Sequence, residues 1–303
     1  MPFRLIKGTF HVRNYSPDGD SIRFKPDNPD LIRRLTGGDR ARFNARGHVQ
    51  LRIEAIDALE THYNPQSGGG TLHQPLGLAN QALDHLLAFV GITDVVWDST
   101  HRTVLNALDD VPGYILARAV EKYGRPITFV FTGNAPEDDG RNVRLEVDRL
   151  RESYNYDALV GGYAYPTYYT GLFSDLREAL TDAVRAARAD GRLIHNADRT
   201  TDGVVVTSLG SITEEFVILP KLFRRLSEYL VNFGTVTGFK RKLAESREPV
   251  LDLRRCHFTH FDTFVEESGN QIKLTRFPEE LVFDEMPARP GNAFAELMRE
   301  MVV

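Results

Sequence analysis

The feature that most constrains the fold is the turn Ser16-Pro17-Asp18-Gly19. It follows Leu5 to Arg13, whose weak alternation reads as a strand, and a second strand, Ser21 to Lys25, leaves it. The chain therefore opens with two strands joined through a tight turn. Pro26 ends the second strand, and Pro29 to Leu35 has the form of a short helix with proline in its first turn, closed by Gly37-Gly38. His48 to Ile56 alternates like a half-buried strand.

Beyond the flexible Ser67-Gly68-Gly69-Gly70, apolar residues recur at helical spacing from Pro75 to Val90, and Gly91 is the stop. Val95 to Trp97 reads as a strand, Ile115, Leu116 and Ala119 as a helix, and Ile127 to Phe131 as a strand. A further helix is expected over Leu172 to Ala189. The character changes at Arg199-Thr200-Thr201-Asp202-Gly203, which marks a boundary between a unit over 1–200 and another over 201–303. The second unit holds an amphipathic helix starting at Pro220 and strands over Cys256 to Val265 and Gln271 to Arg276.

Hydrophobic residues make up 42% of the 303, enough for a folded core and too much for disorder to be expected. No run approaches the ~18 consecutive apolar residues of a membrane span, and no apolar signal core opens the chain. One cysteine, Cys256, cannot form an internal disulfide, which suits a reducing compartment, so a cytoplasmic location is expected. The net charge of -5 argues against strong non-specific attraction to polyanions. It leaves room for a few arginines focused in a cleft.

Three short motifs carry chemistry. Asp20 stands beside the first turn, where its carboxylate projects from a rigid position. Arg52 lies on the His48 to Ile56 strand and Asp57 and Glu60 in the bend beyond its end, which gathers a guanidinium and two carboxylates at the strand terminus. Lys122-Tyr123-Gly124-Arg125 is a turn that delivers a second arginine just before a strand. Taken singly, each is also what an ordinary turn or a solvated ion pair looks like. Their combination and order are more specific.

In that combination the chain resembles the staphylococcal nuclease (thermonuclease) family over about residues 3–198. The matching segments are Asp18 to Ser21, Arg52 to Thr61 and Lys122 to Arg125. The resemblance implies an α+β fold: a five-stranded OB-type β-barrel packed with helices over 1–200, with insertions near 26–47 and 98–120. A smaller mixed α/β domain over 201–303 would follow it. It implies Ca²⁺ held by Asp20, Asp57 and the backbone carbonyl of Ala58, since calcium takes oxygen ligands. Glu60 would activate water, and Arg52 and Arg125 would clamp the phosphate and stabilise the transition state. Lys122 and Tyr123 would contact substrate, and Tyr168 and Tyr169 fall near the family's nucleotide-stacking tyrosines. The implied activity is hydrolysis of DNA or RNA. One departure stands out: Leu59 occupies the place of the family's proline before the glutamate.

Other features pull less strongly. Arg33, Arg34, Arg40, Arg42 and Arg46 are either a phosphate-tracking patch or a solvated face. Cys256, His257, His260 and Asp262 would be split between two faces of a strand, so no zinc site is expected. The Pro220 helix could complete a core, pair with a second copy to make a homodimer, or bind a protein partner. The alternative to catalysis is an OB-type binding or scaffold module.

Overall fold

The computed structural model describes residues 2–284, so the last part of the 201–303 unit lies outside the described residues. Its first strands are β1 (Phe3–His11), β2 (Arg23–Pro26), β3 (Val49–Gln50), β4 (Arg52–Ile53) and β5 (Ile56–Ala58), with α1 (Pro29–Arg33) between β2 and β3. After α2 (Leu76–Val90) come β6 (Thr93–Trp97), β7 (Val104–Leu108), β8 (Val111–Val120), β9 (Pro126–Thr132) and β10 (Asn142–Val143). Next are α3 (Val147–Leu150), α4 (Tyr154–Gly161), β11 (Ala164–Pro166), β12 (Tyr168–Tyr169), α5 (Ser174–Ala189) and α6 (Ile194–Ala197). The remainder holds β13 (Val204–Val205), α7 (Pro220–Phe233), α8 (Phe239–Ser246), β14 (Pro249–Asp252) and β15 (His257–His260). It ends with β16 (Val265–Ser268), β17 (Gln271–Leu274) and β18 (Leu281–Phe283).

The main sheet runs β3-β2-β1-β8-β9-β4, with β10 also on β1. Its two edge strands, β3 and β4, are separated in sequence by Leu51 alone. A sheet whose opposite edges are one residue apart has to curl round on itself, and the result is a nearly closed, barrel-like sheet in an α+β fold. Helices α2, α4 and α5 pack against the barrel and share its core.

Three expectations about elements fail, the first being the strand over Cys256 to Val265, which is broken into β15 and β16 by a tight helical turn at Phe261–Phe264. Ile115, Leu116 and Ala119 lie in β8, a strand in the middle of the sheet, and not in a helix within an insertion. Residues 113–117 are all buried, so the run loses the polar alternation that marks a half-exposed strand. The strand expected from His48 to Ile56 is broken into β3, β4 and β5. Ala55 adopts φ 66°, left-handed backbone that L-residues rarely take, and swings β5 off the barrel onto β11. Asn155 supports this bend: its side chain accepts from Val130 N–H at 2.9 Å and donates to the carbonyls of Thr128 at 3.0 Å and Glu54 at 2.8 Å.

A second core joins the later elements to the barrel side. Leu59, Leu72, Ala79, Tyr165 and Ile194 pack with Leu222, Phe223, Leu226 and Phe283. The apolar face of α7 thus completes a core within the chain. Strand β18 runs parallel to β12, Tyr168 opposite Val282, which adds a backbone link between the two regions. Among the described residues, no helix is long and apolar enough to cross a membrane.

Candidate active site

Asp20 is placed by close packing of backbone. A Cβ on Gly19 would stand 2.7 Å from the Cβ of Ala58 and 2.8 Å from that of Ala82, so the turn lies flat against β5 and α2. Tyr154, fully buried, donates its hydroxyl to the Gly19 carbonyl at 2.7 Å. Asp20 Oδ2 then accepts the Ala58 N–H at 3.0 Å, and Asp18 Oδ1 accepts from the Ser21 hydroxyl at 2.8 Å. The turn and strand β5 are tied through the carboxylate itself.

Arg52 leaves β4, which is held parallel to β9, and its guanidinium lies 4.3 Å from the centroid of the Tyr169 ring. Asp57 lies within β5, not in a bend beyond the strand, and is buried opposite Tyr165 of β11. Leu59 is buried in the second core, which explains an apolar side chain at this position. The backbone of Glu60 is fixed by Gln74, which accepts its N–H at 3.3 Å and donates its own N–H to its carbonyl at 2.8 Å. Gln74 also donates to the Ile218 carbonyl at 2.7 Å, so the segment bearing Glu60 is anchored from both sides.

Arg125 follows a turn that requires glycine. Gly124 has φ 87°, and a Cβ there would meet the Arg40 carbonyl at 2.5 Å. Arg125 Nε donates to the buried Glu121 at 2.8 Å. Lys122 and the exposed Tyr123 sit on the same turn.

Asp20, Arg52, Asp57, Glu60 and Arg125 all line one cavity of about 950 Å³, together with Lys122, Tyr123 and Tyr169. Tyr168 and Ala58 do not line it. Tyr168 is fully buried with its hydroxyl 3.0 Å from that of Thr181, so it has no face to offer a base. Ala58 is buried in β5 with its N–H on Asp20. Of the five arginines near α1, Arg40 reaches the cavity while donating to the Val120 carbonyl at 2.6 Å, and Arg33 pairs with Asp30 at 2.7 Å.

Helix α7 supplies residues that no motif announced. Arg224 forks onto Asp57, Nη1 to Oδ1 at 3.0 Å and Nη2 to Oδ2 at 2.9 Å, and Nη1 also donates to Glu60. Lys221 and Arg225, one to either side along the helix, both pair with the buried Glu248, at 2.8 and 2.6 Å. Lys221 further donates to the Tyr169 hydroxyl at 3.3 Å. Basic side chains on an amphipathic helix ordinarily read as its solvated face, so this wall of the cavity left no signal in the sequence.

The electrostatics follow from burial and crowding. Burial, with the charges of Asp18 and Asp57 nearby, raises Asp20 well above the usual carboxylate range. Burial lifts Glu60 to about 7; Arg224 opposes this, while Asp20 and Asp57 add to it. Burial would also raise Tyr169, but the cations of Lys221 and Arg52 outweigh it and the net shift is downward. Glu248 resists its burial because Lys221 and Arg225 hold it down at about 2.

Whether these residues suit a cation is a question of donors and charge. Asp20, Asp57 and Glu60 offer hard oxygen donors of the type calcium takes, and all three line the same cavity. The donor chemistry fits. As the side chains stand, no three His, Cys, Asp or Glu residues among the described ones are disposed to hold a metal ion. The oxygens of Asp57 and Glu60 are directed at Arg224 instead. No protein-family model matches this sequence, and no curated protein aligns with it significantly.

Proposed function

We propose that this chain is a metal-dependent phosphodiesterase of the staphylococcal nuclease kind, on an OB-type barrel, hydrolysing DNA or RNA with Ca²⁺. The observation that carries the reading is the meeting of Asp20, Arg52, Asp57, Glu60 and Arg125, from distant parts of the sequence, in one cavity. When bound by Asp20 and Asp57, Ca²⁺ would supply positive charge to polarise the phosphate. Glu60, lifted to about 7 by burial, is suited to take a proton from the attacking water near neutral pH. Arg52 and Arg125 would hold phosphate oxygens and offset the charge that builds in the transition state; an arginine fork fits that geometry better than lysine. Tyr123 and Lys122 at the cavity wall, with Tyr169 further in, provide an aromatic face and a cation for the rest of the substrate.

Purified protein is expected to cleave single-stranded DNA or RNA with Ca²⁺ and to stop with EDTA. Glu60→Gln and Arg125→Ala are each expected to slow cleavage by about 10²-fold or more, loss of transition-state stabilisation worth several kcal/mol. Undiminished rates in both variants would reject these roles. One observation favours a second reading: the fork from Arg224 to Asp57 makes the cluster self-contained, as in a non-catalytic binding module. Salt-dependent binding of oligonucleotides with no cleavage under any divalent ion would establish that reading.

A further inference from the structure

Asp57 and Glu60 cannot perform their proposed roles while Arg224 holds them. Both oxygens of Asp57 accept from its guanidinium, and Glu60 shares Nη1. A carboxylate so engaged is a poor ligand for a second cation, and an ion-paired glutamate is a poor base. Arg224 cannot withdraw by moving its helix, because Leu222, Phe223 and Leu226 fix α7 in the second core. Only its side chain can move. Lys221 and Arg225 have Glu248 as their own partner, which leaves Arg224 as the residue of that helical stretch committed to Asp57 and Glu60.

A divalent ion arriving at Asp57 would have to share oxygens that the guanidinium already holds at about 3 Å, and two cations on one carboxylate repel in a partly buried site. The cavity offers an exit, since Arg224 lines the same space as Arg52 and Arg125. A phosphodiester bound there brings an anion that matches the fork Arg224 now gives to Asp57.

We propose that Arg224 is a third arginine of the site, a tethered cation that occupies Asp57 and Glu60 until a divalent ion replaces it and that then passes to the substrate phosphate. The inference rests on the metal-dependent phosphodiesterase reading. It makes the later part of the chain a contributor to the active site, with Arg224 as a residue that itself touches the substrate. The arginine-held state competes with the ion-held state, so the apparent affinity for the ion is reduced by the share of molecules in the former.

The test is a calorimetric titration of the substrate-free, full-length protein with Ca²⁺, comparing wild type with Arg224→Gln, Arg224→Lys and Asp57→Asn. Arg224→Gln is expected to bind Ca²⁺ about tenfold more tightly than wild type, with Asp57→Asn losing binding. Equal or weaker binding by Arg224→Gln overturns the proposal, as does an absence of Ca²⁺ binding in every protein. Removing the guanidinium leaves Asp57 and Glu60 close together and unpaired, and Arg224→Gln could fail to fold for that reason. Arg224→Lys keeps the charge and loses the fork; it is expected to gain Ca²⁺ affinity by about threefold, and wild-type affinity in that variant decides against the proposal. With Ca²⁺ saturating, fluorescence anisotropy of a labelled oligonucleotide is expected to show about tenfold weaker binding by the same variants; unchanged binding overturns the hand-over to phosphate. Tighter Ca²⁺ binding by Arg224→Gln in a chain that cleaves nothing keeps the tether and rejects the hydrolase. Cleavage with unaltered Ca²⁺ affinity does the reverse.

Discussion

At the scale of single residues, Gly19 positions Asp20 as much as any polar contact does. Its hydrogen is all that separates the turn from the β-carbons of Ala58 and Ala82, and both of those are in the core. Gly19→Ala is expected to cost about 1–3 kcal/mol, measured by urea unfolding, because the methyl must force the turn off β5. The displaced Asp20 should also lose its bond from Ala58, so cleavage should fall further than stability alone explains; a fully active, fully stable variant would contradict this account. The polar residue types of the site were legible from motif order: Asp20, Arg52, Asp57, Glu60 and Arg125 are all found in the cavity. Tyr168 was misjudged because neighbouring residues of a strand point to opposite faces, and a shift of one residue separates a buried ring from one in the cavity. Arg224 was not legible at all, since its partners lie more than 160 residues away and nothing local marks it.

At the scale of elements, α7 depends on Glu248. This carboxylate, between α8 and β14, accepts from Lys221 and Arg225 on successive turns and so fixes the rotation of the helix that carries Arg224. Glu248→Gln would leave Lys221, only 4% exposed, without its counter-charge, at an expected cost of about 3–5 kcal/mol at pH 7. The pH dependence has a definite sign. Glu248 is held at about 2 against an ordinary 4.5, so its contribution is present above pH 4.5 and is lost as the pH falls from there towards 2. Chemical denaturation of wild type across that window should show a loss that Glu248→Gln lacks; parallel curves would show that the pair does not support α7. Elements with strong periodicity were readable, as α2, α5 and α7 show. Strand β8 was not, because burial removed the alternation by which strands are told from helices, and the break at Ala55 has no glycine to announce it.

At the scale of the whole molecule, the boundary expected near residue 200 divides the sequence more cleanly than it divides the packing. The second core draws Leu59, Tyr165 and Ile194 from before that point and Phe223, Phe261 and Phe283 from after it. A fragment of residues 1–200 is expected to expose these apolar groups, bind a hydrophobic dye and elute as soluble aggregate in size exclusion, because area that the full chain buries would face water. A well-folded monomeric fragment would show that the barrel's own core suffices. The parallel pairing of β12 with β18 spans more than a hundred residues of chain. On a ribosome, Asp20, Asp57 and Glu60 are all synthesised long before Arg224 and β18, so the carboxylates emerge without their guanidinium. Folding of the later elements onto the barrel side would then be the event that brings Arg224 to the carboxylates and closes that wall of the cavity.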